Sequence, residues 1–179
     1  MQFDDRQFKK FLSEQEISDL LDDIAERINA DYGINDRILL VGVLKGAFIV
    51  MADLIRRLHS DVEVDFVRTM NHGKSLNSPG TISFLKDISV DVRSRHVIIV
   101  EEIIDSGRTL ETLYERIKSA KPLSLKIATL LDKRSKRMVK LNADYVGKNV
   151  DDQFLIGYGL DLEERCRNLP AIHALRYPN

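Results

Sequence analysis

The sequence predicts an α/β fold built on a mainly parallel central sheet with helices on both faces. Two observations carry that prediction. Apolar runs such as Ile38–Leu44, Val97–Val100 and Ser124–Asp132 lack the alternation of a half-exposed strand, so both of their faces are buried. These runs alternate with helical stretches, which supply the crossovers that parallel strands require. In such sheets, ligands bind beyond the carboxyl ends of the strands.

The elements follow in chain order. Ser13 and Glu16 have capping-box spacing, in which each side chain satisfies the other's backbone N–H. Ile17, Leu20, Leu21, Ile24 and Ile28 then repeat at helical spacing, with Gly33 just past the end. Ile38–Leu44 is a buried strand, Lys45-Gly46 turns the chain, and Ala47–Leu58 reads as a helix with Arg56 and Arg57 in its last turn. Val62–Met70 alternates like a strand. Asn71–Gly80 is a long polar loop, and Thr81–Ile88 is the strand that returns from it. His96–Ile104 is a strand and Thr109–Ala120 a helix. Ser124–Asp132, Phe154–Leu162 and Ala171–Tyr177 complete the strands. Lys45, Asp105 and Lys133 each fall just past a strand end, where one crevice could hold them.

A length of 179 residues fits one domain, 1–179, large enough for a sizeable core. With 44% hydrophobic and 31% charged residues the composition is that of an ordinary globular protein. The net charge of −1 gives no general attraction to nucleic acid or to an anionic membrane. The single cysteine, Cys166, excludes an internal disulfide and a multi-cysteine metal site. No apolar run reaches the roughly 18 residues of a spanning helix, and the N-terminus lacks a secretion signal. A cytoplasmic location is the expectation.

The stretch HVIIVEEIIDSGRTL, His96–Leu110, carries the chemistry. Glu101 and Glu102 interrupt the most apolar strand. Successive strand residues point to opposite faces, so the two acids cannot present themselves identically. Burying unpaired carboxylates is very costly, so they need cations, hydroxyl donors or a metal. Sugar hydroxyls and Mg²⁺ both suit them. Asp105-Ser106-Gly107-Arg108-Thr109 then runs into a helix, whose unpaired N–H groups form a phosphate cradle. Taken alone, that turn would also serve as a plain helix cap.

IIVEEIIDSGRTL closely resembles the phosphoribosyl-pyrophosphate signature of the type I phosphoribosyltransferases. The isoleucine pair before Asp105 points to the hypoxanthine-guanine branch. The resemblance extends through VGVLKGAF, the polar loop, LLDKR and DQFLIGYGLDLEERCRNLP, in the expected order. It implies that family's fold, with a small hood formed by the N-terminal and C-terminal segments. It also implies transfer of the phosphoribosyl group from phosphoribosyl pyrophosphate to a 6-oxopurine, with Mg²⁺ as cofactor and a homodimer or homotetramer as the assembly.

By the same resemblance, Asp105 is the acid–base residue facing purine N7. Ser106, Gly107, Arg108 and Thr109 cradle the 5′-phosphate. Glu101 and Glu102 hold the ribose hydroxyls directly or through Mg²⁺. Lys45 and Gly46 form the pyrophosphate turn, in which the peptide before the glycine can be cis, and Arg167 reaches the same group. Lys133 donates to the purine O6, Phe154 stacks on the base, and Leu155 offers backbone contacts. Asp161 binds a second Mg²⁺ near the purine C2 edge, and the mobile loop with Asn71 and His72 closes over the site. By themselves, Lys133 belongs to a basic run that is usually solvated, Phe154 would be core, Asp161 a turn residue and Arg167 a surface helix arginine.

Two positions depart from the family pattern. Glu102 stands where Asp is usual, which moves the carboxylate by about 1.5 Å, one carbon–carbon bond. Asn71-His72 replaces Ser-Tyr, and a histidine there could make loop closure pH-sensitive. Ala47, where Gly or Ser is common, should matter little. HGKS, His72–Ser75, resembles the tail of a P-loop, but Arg68 occupies the position of its first glycine. The basic run Lys133–Lys140 lacks the aromatic residues of a nucleic-acid patch. A regulatory, RNA-binding protein of the same fold, or an enzyme preferring xanthine or another base, is the alternative reading.

Overall fold

A computed structural model of the chain describes residues 7–72 and 81–176. Strand β1 (Phe8–Leu12) leads into helix α1 (Glu14–Asp31). The capping box forms: Ser13 N–H donates to Glu16 Oε2 at 2.8 Å, and Glu16 N–H donates to Ser13 Oγ at 3.3 Å. A cap of this kind is worth about 1 kcal/mol. Strand β2 (Ile38–Leu44), helix α2 (Ala47–Ile55), strand β3 (Val62–His72) and strand β4 (Thr81–Lys86) follow. Then come β5 (His96–Ile104), α3 (Arg108–Ser119), β6 (Ser124–Asp132), a short 3-10 turn (Arg134–Lys136) and β7 (Tyr145–Asn149). Strands β8 (Leu155–Ile156) and β9 (Ile172–Leu175) close the chain.

The main sheet has the order β4-β3-β2-β5-β6-β7. Its neighbours are parallel except β4, which runs antiparallel to β3. Alternation along the strands divides the core into two layers. Ile98 and Val100 join Ile38, Leu40 and the buried faces of α1 and α2. Val97 and Ile99 join Leu39, Val41 and the Leu110–Leu113–Ile117 stripe of α3. A second antiparallel sheet, β1-β9-β8, brings N-terminal and C-terminal segments together.

Several elements differ from the sequence expectation. Helix α2 ends at Ile55 rather than Leu58, because Arg57 and Leu58 N–H groups reach back only three residues, to Leu54 and Ile55. Strand β3 continues through Asn71 and His72, which pair with Ile82 and Thr81 instead of starting the loop. The rest of that loop, and any closing role for it, lies outside the described residues. Phe154–Leu162 is strand only at Leu155–Ile156, since Gly157 and Gly159 take φ of 94° and 97° and bend the chain. Strands β1 and β7 were not expected.

Candidate active site

The carboxyl ends of β5 and β6 are joined where Lys133 N–H donates to the Ile104 carbonyl at 3.0 Å. That bond sets the side chain of Lys133 beside Asp105. Lys133 is only 6% exposed, so it is not a member of a solvated basic run. Its Nζ lies 3.1 Å from Asp105 Oδ1 and 3.9 Å from Asp152 Oδ1. A buried ammonium needs such anionic partners. Asp105 itself is exposed and faces a cleft of about 190 Å³ lined also by Glu101, Ser106, Gly107 and Thr109.

Gly107 caps α3 with φ +79°, a left-handed conformation that favours glycine. Space also requires it: a Cβ there would fall 2.7 Å from Val139 Cγ2 and 2.8 Å from Arg137 Nη1. The helix it starts is 12 residues long, so its first N–H groups and its dipole meet the cleft. The turn is fastened from behind by Met138 N–H donating to the Ser106 carbonyl at 3.0 Å. Arg137 pairs with buried Asp132 through Nη2, while its Nη1 is buried without a hydrogen-bond partner. The sequence reading passed over Arg137 and Asp152 because a basic run and a loop acid gave no hint of burial or pairing.

Glu101 and Glu102 face different neighbours, although their carboxyls stay close enough to share a hydrogen bond. Glu101 lines the cleft beside Asp105. Glu102 turns to the α2 side, where a Cβ on Gly46 would lie 1.7 Å from its Oε1. From there it buttresses the Lys45-Gly46 turn from below. Gly159 closes the turn from the other side, since a Cβ there would come within 2.2 Å of the Gly46 carbonyl oxygen. Burial pushes the Glu101 carboxyl well above its ordinary range, and the charge of Glu102 adds to this. Glu102 is pushed up to about 7, burial first, with Arg167 opposing and Asp161 adding.

The cis peptide is Leu44–Lys45, one bond earlier than expected. Lys45 Nζ lies 2.8 Å from Glu164 Oε2. Arg167 sits in a turn, not on a helix. Its Nη1 donates to the Gly159 carbonyl at 2.8 Å, and its Nη2 lies 3.0 Å from Asp161 and 3.0 Å from Glu164. The sequence offered no sign of Glu164. Phe154 is 39% exposed, so it is not core, whereas the Leu155 side chain is buried and its backbone pairs with Ala174.

Asp161 is ion-paired to Arg167, and its charge also acts on Glu102. Among the described residues no three His, Cys, Asp or Glu side chains cluster as a metal cage. Mg²⁺ does not need one, because it is usually held by one or two carboxylates together with substrate phosphates. Glu102 Oε2 is buried and has no hydrogen-bond partner, a free carboxylate oxygen that fits such a cation.

Free N–H groups at the start of α3, two acids at a strand end and a lysine–aspartate pair on one sheet edge are the parts that a nucleotide-sugar site needs. The model of the phosphoribosyl transferase domain matches residues 7–163, and the chain belongs to that family. It is 39% identical over 168 residues to the hypoxanthine-guanine phosphoribosyltransferase of Aquifex aeolicus, covering 94% of each chain. It is 43% identical over 169 residues to that of Bacillus subtilis, covering 94% of this chain and 93% of the relative. A crystal structure of a Bacillus anthracis hypoxanthine-guanine phosphoribosyltransferase superposes with a TM-score of 0.89 at 40% identity, covering 94% of this chain and 98% of that one. Within the family the chain falls in the hypoxanthine-guanine branch. None of these relatives supports the regulatory alternative. No described helix is long and apolar enough to cross a membrane.

Proposed function

We propose that this protein transfers the 5-phosphoribosyl group from phosphoribosyl pyrophosphate to hypoxanthine or guanine, giving IMP or GMP and pyrophosphate. One observation carries the reading: Lys133 Nζ and Asp105 Oδ1 stand 3.1 Å apart at the mouth of the phosphate turn. On a 6-oxopurine, O6 and N7 are neighbours on one edge. Lys133 donates to O6 while Asp105 accepts the N7 proton as N9 of the same ring bonds to the anomeric carbon and the bond from that carbon to pyrophosphate breaks. Adenine carries a donor at position 6 and would meet the ammonium with the wrong polarity.

The other residues position the reactants. Ser106, Gly107, Arg108 and Thr109 hold the 5′-phosphate at the start of α3, and Glu101 takes the ribose hydroxyls. Lys45, Gly46 and Arg167 receive the pyrophosphate, and Asp161 orients Arg167 through their ion pair at 3.0 Å. The exposed ring of Phe154 covers the base, beside the backbone of Leu155. Glu102, with Asp161 nearby, would hold Mg²⁺, which when bound neutralises charge on the departing pyrophosphate. The proposal extends to a homodimer or homotetramer in the cytoplasm.

The test is a competition of hypoxanthine, guanine, xanthine and uracil in one reaction with phosphoribosyl pyrophosphate and Mg²⁺. IMP and GMP should dominate, and failure to form either overturns the activity. Lys133→Ala should lower kcat/KM for hypoxanthine relative to adenine by roughly 10- to 100-fold. Unchanged selectivity would overturn the O6 assignment.

A further inference from the structure

Glu164 has no part in the reaction just described, yet it holds both cations given to pyrophosphate. Its Oε2 lies 2.8 Å from Lys45 Nζ and 3.0 Å from Arg167 Nη2. One oxygen shared between two cations is also how a phosphate oxygen would sit between them. The link joins the turn after β2 to the turn before β9, so a single side chain bridges the two halves of the pyrophosphate position. Glu164 is placed there by a left-handed turn, with φ of 49° at Glu163 and 66° at Glu164. Its N–H is fixed by Asp161 Oδ2 at 2.9 Å.

The bond to Lys45, and then that to Arg167, holds the Glu164 carboxyl below the ordinary range, so it is ionised at neutral pH. Its side chain is 64% exposed and that of Lys45 45% exposed. Ion pairs this open are weak and exchange easily.

We propose that Glu164 is an internal stand-in for pyrophosphate. It occupies Lys45 and Arg167 in the free protein, yields them to the pyrophosphate group of the substrate, and reclaims them as the product leaves. The inference rests on the assignment of those two cations to pyrophosphate. Apparent affinity then falls by the fraction of time the cations are free, and product is displaced faster than two unopposed cations would allow.

The test uses Glu164→Gln, which keeps shape and length but removes the charge. The full chain is titrated calorimetrically with pyrophosphate in the presence of Mg²⁺, and pyrophosphate inhibition is measured against phosphoribosyl pyrophosphate. Binding should tighten by roughly three- to tenfold, the range expected for removing two exposed ion pairs. KM for phosphoribosyl pyrophosphate should fall in step, with KM for hypoxanthine unchanged. Unchanged or weaker pyrophosphate binding overturns the proposal, because Glu164 would then only hold the cations in place. Lys45→Met separates this from the underlying assignment. If it leaves pyrophosphate binding unaltered, the pyrophosphate reading itself fails. If it weakens binding while Glu164→Gln does nothing, only the stand-in fails. In the Lys45→Met background, the gain from Glu164→Gln should shrink.

Discussion

Asp65 on β3 and Glu102 on β5 are acids drawn into the same sheet, and their surroundings differ in one respect. Asp65 is surrounded by donors: Lys86 Nζ at 2.7 Å, Phe66 N–H at 2.7 Å and Ser89 N–H at 2.5 Å. Burial alone would raise its carboxyl, but these partners outweigh that and hold it below the ordinary range. Glu102 has an oxygen with no partner, and burial pushes it up to about 7. Desolvation acts on both groups, and hydrogen-bond donors decide which way each one moves. A satisfied buried acid fastens the fold. An unsatisfied one keeps an oxygen free to accept a cation or a donor. Asp105 is a third case, exposed but pinned to one buried lysine at 3.1 Å.

Three substitutions, one at each acid, test this contrast. The largest effect is expected at Asp105, the acid proposed to take the N7 proton. Asp105→Asn should lower kcat by about 10²- to 10⁴-fold and change IMP affinity by less than tenfold. Equal losses in both would remove it from proton transfer.

Asp65→Asn comes next. It leaves three donors without a charged acceptor and should destabilise the fold by about 2–3 kcal/mol at neutral pH, with the site's affinity for IMP preserved. The carboxyl is depressed by folding, so its contribution is present above its unfolded value of 3.8 and lost as pH falls. Urea unfolding at pH 7 and pH 3.5 should show a gap between variant and parent that narrows in acid. A gap of equal size at both would contradict the assignment.

The smallest effect is expected at Glu102. Its pKa is raised by folding, so its contribution is full below 4.5 and is lost as pH rises through about 7. In metal-free buffer, Glu102→Gln should gain Tm relative to the parent as pH rises from 5 to 8. Glu101, raised by its own burial, keeps a residual slope in the same direction. A Tm difference independent of pH would show that Glu102 is ionised already in acid.

Much of the architecture could be read from local pattern. Ser13 and Glu16 announced a capping box, and the buried strands β2, β5 and β6 were visible as unbroken apolar runs. The edges were harder. In β1, FKKFL places its apolar residues at the spacing of a helix, and in β7, YVGKN has little apolar character; long-range pairing to β9 and β6 defines both. The site divides in the same way. The phosphate turn is contiguous in sequence and was legible with its glycine. Burial of Lys133 depends on Asp105 and Asp152, 28 and 19 residues distant, which no local run reveals. Glu102 could be placed only once Gly46, on another strand's exit, was seen to fill the space above it.

The sandwich of Glu102, Gly46 and Gly159 has a consequence for anyone recombining members of this family. The turn after β2 and the turn after β8 meet there through a gap that admits nothing larger than a hydrogen atom. A shift of the turn at Gly159 would therefore press directly on the Gly46 carbonyl beside Lys45. A chimaera that joins foreign segments at this seam has to inherit both glycines together with the acid beneath them, as one unit of exchange.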